Sequence, residues 1–253
     1  NDSQEGIAAR TFKQLIYGRD SIYAREPEYA TVAGISRADL LHFHQQAYQG
    51  ANLIIGVAGD IDTGQVRSLL KKAFSVFEPG EKNDITLPPV VVEKQTSIYV
   101  VPKSDVNQSY IMMGHLGGRR MNPDYAALQG MNKILGGGFS GRLFQTIRSR
   151  LGLAYSVSGS YDSRYFYPGT FHIALATKTE ATHTAVTAVR EEILRLQAGI
   201  TELELARAKA RFVNSRVFYY DQAEKILERR MHYAYRGMAP DTLHRLIQKI
   251  QQL

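Results

Sequence analysis

The sequence predicts an α+β fold in which layered, antiparallel or mixed β-sheets are covered by helices. Short stretches rich in Val, Ile and Tyr recur between glycines and prolines, as β-strands do. Longer stretches carry apolar residues at three- and four-residue spacing and follow capping signals, as amphipathic helices do. The chain has 253 residues, 44% of them hydrophobic and 22% charged, which is typical of a folded globular protein.

A helix, strand and helix are predicted in the first third of the chain. Ser36 and Asp39 form a capping pair ahead of an amphipathic helix. The apolar run Leu53–Ala58 is short enough for a buried strand. Thr63–Phe74 then has apolar residues at helical spacing.

A stretch rich in proline and glycine, residues 76–92, has the composition of a linker. It separates a first region, residues 1–75, from a second, residues 93–253. The elements predicted in the second region are strands over 96–101 and 108–116, a helix from Asn122-Pro123 to Leu135, a helix over 140–150, strands over 155–161 and 170–177, and helices over 180–197 and from Thr201.

Charge and composition exclude several classes of function. The net charge is +7, but Lys and Arg alternate with Asp and Glu, which is typical of solvated helix faces, so we expect no nucleic-acid partner. No apolar run approaches the ~20 residues that span a bilayer. The chain has no Cys, which excludes disulfides and thiolate metal sites.

The most informative segment is LGGGFSGRLFQTIRSRLGLAYSVSGSY, residues 135–161. Three successive glycines allow a close approach to another backbone. A phosphate-binding loop is the obvious competitor, but Gly141 is followed by Arg142 and Leu143 instead of Lys and Ser or Thr, and the loop follows a predicted helix, not a strand.

This segment resembles the insulinase/pitrilysin family of zinc peptidases, the inverzincins, which include bacterial members similar to mitochondrial processing peptidase. The family's ordered motif is matched by Gly136, Gly137, Gly138, Ser140, Arg142, Leu143, Phe144, Arg148, Gly152, Leu153, Ala154 and Tyr155. The resemblance implies a two-repeat metallopeptidase fold of the LuxS and processing-peptidase type. Residues 1–75 would then be the end of the first repeat, and residues 93–253 most of the second, which grips substrate and carries no zinc.

The resemblance also implies roles for individual residues. Arg148 and Tyr155 would be catalytic, contacting the carbonyl groups of a bound peptide and the oxyanion that develops on them. The substrate-binding residues would be Gly136, Gly137, Gly138, Phe139 and Ser140. Without the motif, an Arg on a helix is more often a solvated residue, and a Tyr at the start of a strand more often contributes to packing. The three glycines would then be interpreted as the C-cap of the preceding helix.

The family's zinc motif, His-x-x-Glu-His on a helix, is absent from the sequence. The chain would therefore bind no metal itself, and zinc would belong to the full-length or a partner protein. Two explanations stay open: the chain is a fragment of a longer polypeptide, or its parent is a non-catalytic member that pairs with a zinc-bearing subunit. Asp60 and Asp62 are interpreted as turn residues and not as a pair of ligands for a hard cation.

The resemblance implies a peptide or unfolded polypeptide as substrate, and the N-terminal zinc-bearing repeat or a homologous zinc-bearing subunit as partner. It also points to the bacterial periplasm. Because the repeats look unfinished at both ends, we expect Ser36–Ala58 to fill the gap, either within the chain or by swapping in a homodimer. The aromatic stretch of Tyr161 and residues 165–167 lines a peptide cleft or packs at strand ends.

Overall fold

The computed structural model describes residues 3–77, 79–81, 86–91 and 96–253. The chain divides by its internal contacts into two compact units. The first comprises residues 1–25, 87–214 and 246–253, and the second comprises residues 26–86 and 215–245. The predicted linker, residues 76–92, lies partly outside the described residues, at positions 78, 82–85 and 92.

The first unit is built on a three-stranded antiparallel sheet in the order β1-β5-β3, formed by β1 (Gln108–Leu116), β3 (Ser156–Tyr161) and β5 (Thr170–Lys178). The register pairs Ile111 with Leu175 and Val157 with the same Leu175. Two short strands, β2 (Gly118–Arg119) and β4 (Ser163–Arg164), form a separate parallel pair.

Helices surround this sheet. They are α1 (Gln4–Tyr17), α5 (Tyr125–Leu135), a π-helix (Phe144–Arg150), α6 (Thr182–Ala198) and α7 (Glu202–Asn214). The main core lies where one sheet face meets α5, the π-helix and α6. Its fully buried side chains include Leu143, Ile147, Ile173, Leu175 and Val189.

The second unit is helical in the part that the structure describes. Its helices are α2 (Tyr29–Ala33), α3 (Arg37–Ala47), α4 (Thr63–Ala73) and α8 (Ala223–Tyr235). The capping pair predicted from the sequence is present, because Ser36 Oγ accepts the Asp39 amide and Asp39 Oδ2 accepts the Ser36 amide at 2.8 Å. The last helix, α9, spans Thr242–Gln252, and its residues from Leu246 onward belong to the first unit.

Two predicted strands are wrong. Leu53–Ala58 and residues 96–101 have no regular secondary structure, and Ile98 is 92% exposed. A β-prone sequence becomes a strand only where another strand satisfies its backbone hydrogen bonds, and neither segment pairs with any described strand. The hypothesis that Ser36–Ala58 fills an unfinished repeat, within the chain or by swapping, stays a prediction, since residues 26–86 form one compact unit with residues 215–245.

Several element boundaries also shift. The helix expected from Asn122-Pro123 begins at Tyr125, because Asn122 Oδ1 accepts the Asp124 amide at 2.9 Å in a preceding turn. The helix expected over 140–150 is a 3₁₀ turn at Gly138–Ser140 followed by the π-helix. The C-terminal end of α5 at Gly136 agrees with the sequence.

The α+β class with an antiparallel sheet covered by helices is confirmed. The assignment of residues 1–75 and 93–253 to two sequence repeats stays a prediction, because a division by contacts does not locate repeat boundaries. The described helices include none that is long and apolar enough to cross a membrane.

Candidate functional site

The triple-glycine loop joins α5 to the π-helix and lies directly on β3. A Cβ atom added to Gly136 would stand 2.4 Å from the Cα atom of Gly159, far inside van der Waals contact. Gly138 adopts a φ of +75°, a conformation that residues with a side chain rarely adopt. Glycine is therefore required at these two positions by backbone approach and by backbone conformation.

The residues that follow the glycines are tied to their surroundings by hydrogen bonds. The Phe139 carbonyl accepts a hydrogen bond from Gln145 Nε2 at 2.5 Å. Ser140 Oγ accepts one from the Arg211 guanidinium of α7. The Gly141 amide donates to the Gly138 carbonyl at 3.0 Å. The loop is thus held on both sides although the Phe139 side chain is 77% exposed.

The π-helix presents Arg148 to solvent. Its inner side is anchored in the core by Ile147, which is fully buried, and by Leu143 just before it. Arg148 is exposed, and its guanidinium carbon lies 4.9 Å from the centre of the Phe144 ring. A π-helical segment is wider than an α-helix and is frequently found at functional sites.

Tyr155 stands at the entrance to β3. Its amide donates to the Ala176 carbonyl at 2.9 Å, and Thr177 Oγ1 donates to the preceding Leu153 carbonyl at 2.6 Å. These bonds fix the backbone while the Tyr155 side chain remains 77% exposed. The Arg148 guanidinium carbon lies 5.9 Å from the Tyr155 ring centre, within the range of a cation–π contact.

The structure brings three of the seven predicted site residues, Phe139, Arg148 and Tyr155, together through Phe144. Phe139, Phe144, Arg148 and Tyr155 form a row in which each neighbouring pair is in contact, and we call it the aromatic–arginine row. Phe144 was known from the sequence only as a motif residue on a helix face. Its spacing of four residues from Arg148 was the signal that could have placed it in the site.

Arg142 belongs to the same motif but is committed elsewhere. Its Nε and Nη2 atoms donate to the Glu204 carboxylate at 2.6 and 2.8 Å, and Nη2 also donates to the Gly199 carbonyl. The Arg142 hydrogen bonds, with those of Thr201, lower the pKa of Glu204 to about 2. Glu204 also accepts the Thr201 amide, and Thr201 Oγ1 accepts the Glu204 amide, so the two residues form a capping box at the start of α7. Arg142 is a structural residue.

The described residues contain no group of three or more His, Asp or Glu side chains that could hold a metal ion. Asp62 accepts the Gln65 amide at 2.7 Å as the N-cap of α4, which agrees with its interpretation as a turn residue. His172 is half-buried beside Phe12, and burial lowers its pKa. The donor set of this part of the chain does not fit zinc.

In the aromatic stretch that follows β3, Tyr167 packs against other aromatic rings. The Tyr167 ring stacks on Tyr23 at 4.3 Å between centroids and meets Tyr17 edge-on at 6.0 Å. Tyr17 in turn donates its hydroxyl to the Pro168 carbonyl at 2.9 Å. Burial, with smaller contributions from nearby charges, raises the pKa of Tyr17 to about 12.

Comparison with known proteins identifies the family. Residues 34–212 match the family described as "Peptidase M16 inactive domain", and this chain belongs to it. A relative from Rickettsia felis named "Uncharacterized zinc protease" is 32% identical over 205 residues, which cover 77% of this chain and 48% of the relative. A relative from Helicobacter pylori named "Non-peptidase homolog YmxG" is 25% identical over 252 residues, which cover 98% of this chain and 57% of the relative.

A solved structure shares the fold. The peptidase M16 inactive domain from Pseudomonas fluorescens aligns with a TM-score of 0.77 and 24% identity, over 98% of this chain and 58% of the other. The chain spans about half the length of the curated relatives it matches. The resemblance seen in the glycine, Arg148 and Tyr155 motif is thereby confirmed at the level of the family.

Proposed function

We propose that this chain is the substrate-binding half of an insulinase-like zinc metalloendopeptidase, in which Arg148 and Tyr155 hold the carbonyl groups of a peptide. The observation that carries the proposal is the exposed guanidinium and phenol side by side on a rigid base. Among the described residues, Arg148 makes no ion pair and the Tyr155 hydroxyl makes no hydrogen bond. Both groups are therefore available to a ligand.

The chemistry of the two groups suits a peptide carbonyl. A guanidinium and a phenol donate hydrogen bonds to a carbonyl oxygen, and they do so more strongly once negative charge develops on it. A single donor of this kind typically lowers a barrier by ~3 kcal/mol. The glycine loop, Gly136–Gly138 with Phe139 and Ser140, would support the peptide beside them.

The metal would be supplied from outside this chain. The partner would be an N-terminal zinc-bearing repeat of a longer polypeptide or a homologous zinc-bearing subunit, and the substrate a peptide or unfolded polypeptide. A homodimer in which chains exchange segments is a further assembly to test by light scattering. By itself the chain is expected not to cleave peptides; stoichiometric zinc together with chelator-sensitive cleavage by the purified chain would contradict this.

Peptide binding tests the proposal directly. A fluorescently labelled, unstructured peptide is titrated with the chain, and we expect Arg148→Ala and Tyr155→Phe each to weaken binding several-fold. Arg150→Ala is the matched control, because Arg150 is an exposed arginine on the same π-helix outside the aromatic–arginine row. Equal affinity of wild type and Arg148→Ala would rule out the proposed role.

The second candidate function is a non-catalytic peptide-binding or assembly subunit that pairs with a zinc-bearing peptidase. It is favoured by the name of the Helicobacter pylori relative, "Non-peptidase homolog YmxG". Adding the chain to a zinc-bearing subunit distinguishes the two. If Arg148→Ala lowers turnover, the chain contributes to the active site; if only complex formation requires the chain, the assembly role holds.

A further inference from the structure

Two arginines of the second unit contact the same aromatic ring. The guanidinium carbons of Arg216 and Arg229 lie 4.7 and 4.1 Å from the centre of the Tyr219 ring. Arg216 also donates a hydrogen bond to the Tyr219 hydroxyl, and the Arg229 guanidinium reaches the Tyr220 ring at 5.6 Å. Because two positive charges on one ring repel each other, an anion that binds beside them would stabilise the arrangement.

Arg229 has hydrogen-bonding capacity that the described residues do not use. It is partly buried, its Nε atom has no hydrogen-bond partner among these residues, and no carboxylate among them lies within ion-pair distance. A guanidinium in this position has lost part of its hydration without a replacement, and a carboxylate is its strongest acceptor. The neighbouring Arg230 is exposed. Both arginines also act on Tyr220, since their charges oppose the burial that raises its pKa.

The surrounding stretch has an excess of positive charge. Residues 215–245 contain six Lys or Arg and four Asp or Glu. Two of these four acids are already paired, Asp221 with Lys225 at 2.9 Å and Asp241 with Arg245 at 2.8 Å. This part of the second unit is therefore basic, which suits a partner of negative charge.

The placement of the charges indicates which kind of anion fits. Arg229 and Arg230 are successive residues of α8, so their side chains leave the helix about 100° apart and present two separate charges. The Tyr219 ring already carries two guanidinium groups and is not open to stacking by a nucleic-acid base. Separate carboxylates along one chain match these guanidinium groups better than a single phosphate or a stacked base does.

Five residues form what we call the Tyr219 cluster: Arg216, Tyr219, Tyr220, Arg229 and Arg230. We propose that the Tyr219 cluster is a docking site for an acidic segment of a polypeptide, in which successive Asp or Glu carboxylates bind the guanidinium groups. The cluster shares no residue with the aromatic–arginine row and lies in the other unit of the chain, so this inference goes beyond the proposed function.

The test uses a short labelled peptide that alternates Glu with Ser and Gly, and a matched peptide with Gln in place of Glu. Titrated into the full chain, the Glu peptide should bind about tenfold more tightly than the Gln peptide. Its affinity should fall as NaCl is raised, because salt screens the charges. Arg229→Met keeps a long side chain over the Tyr219 ring without the charge, and Arg230→Gln removes the exposed charge. Each variant should weaken binding of the Glu peptide about threefold.

Arg245→Gln is the matched control, because Arg245 is an exposed arginine of the same unit that is already paired with Asp241. Both Arg245→Gln and Arg148→Ala should bind the Glu peptide as the wild type does, which separates this site from the proposed carbonyl-binding pair. Circular dichroism checks the fold of each variant, and if Arg229→Met does not fold, Arg230→Gln decides alone.

Three results would overturn the docking site. They are equal affinity for the Glu and Gln peptides, unchanged affinity for the Glu peptide in Arg230→Gln, and a loss in Arg148→Ala as large as that in Arg230→Gln. Competition tests the kind of anion. If a short single-stranded RNA or inorganic phosphate displaces the labelled Glu peptide at a lower concentration than the unlabelled Glu peptide does, the assignment to an acidic polypeptide is wrong.

Discussion

Arg142 and Glu204 form a two-point ion pair across 62 residues of sequence, with Nε–Oε1 and Nη2–Oε2 distances of 2.6 and 2.8 Å. The pair joins Arg142, two residues before the π-helix, to the first turn of α7. It also explains why two arginines of one motif differ: Arg142 is neutralised within the fold, whereas Arg148 has no carboxylate partner among the described residues.

The stability of the protein should decrease at acid pH through Glu204. The pKa of Glu204 in the folded chain is about 2, below its ordinary value. The stabilisation that Glu204 provides is therefore complete at a pH above the ordinary pKa of glutamate, and it is lost as the pH falls toward 2. The pair is partly exposed, so we expect a loss of only about 1 kcal/mol. Urea unfolding between pH 5 and pH 2 measures it.

Glu204→Gln is the variant that isolates this effect. It should lower the free energy of unfolding at pH 7 and flatten its dependence on pH in the acid range. Asp39→Asn serves as the comparison, since the pKa of Asp39 is also lowered, by hydrogen bonds from Ser36, on an exposed helix start. A slope that is unchanged in Glu204→Gln would show that the pair does not contribute.

Gly136→Ala should destabilise the protein by about 1–3 kcal/mol, as inserted atoms do in a packed interior. The new methyl group would meet the Cα, N and O atoms of Gly159 at 2.4 to 2.6 Å, and backbone cannot rotate away. Gly34→Ala is the control, because its nearest contact of 3.4 Å is ordinary. The free energies of unfolding from urea titration are compared, and equal values would contradict the close approach.

Burial of His172 predicts a second pH dependence. Its pKa is lowered in the folded chain, chiefly by burial, with Asp162 opposing the shift. The unfolded chain therefore binds the proton first, and stability should fall as pH drops below about 6.5 until the folded-state pKa is passed. His172→Gln should remove this part of the slope, whereas His42→Gln, at an exposed position on α3, should retain it.

Tyr17→Phe should cost about 1 kcal/mol of stability, the usual net worth of one hydrogen bond. The substitution leaves the Pro168 carbonyl without its 2.9 Å donor while keeping the ring contacts with Tyr23 and Tyr167. Thermal unfolding followed by circular dichroism measures the change. Tyr29→Phe, at a position that is 95% exposed, should have no effect, and an equal loss there would argue against the hydrogen bond.

The sequence alone determined the class of fold, the order of most helices and strands, and the motif that identifies the family. These features depend on neighbours in the chain. Ser36 with Asp39 and Thr201 with Glu204 cap their helices through residues three positions apart, and the β5 sequence places Phe171, Ile173 and Leu175 at the two-residue spacing of a strand.

Tertiary structure decided the features that depend on distant partners. Leu53–Ala58 and residues 96–101 have strand-like sequences but no described neighbour to accept their backbone hydrogen bonds, so they are not strands. Similarly, the sequence does not show what Arg142 binds: its partner Glu204 comes from α7, 62 residues further along the chain, whereas Arg148 stays exposed. The hydrophobic periodicity of a segment indicates which secondary structure it can form, and its hydrogen-bonding and packing partners determine which one it forms.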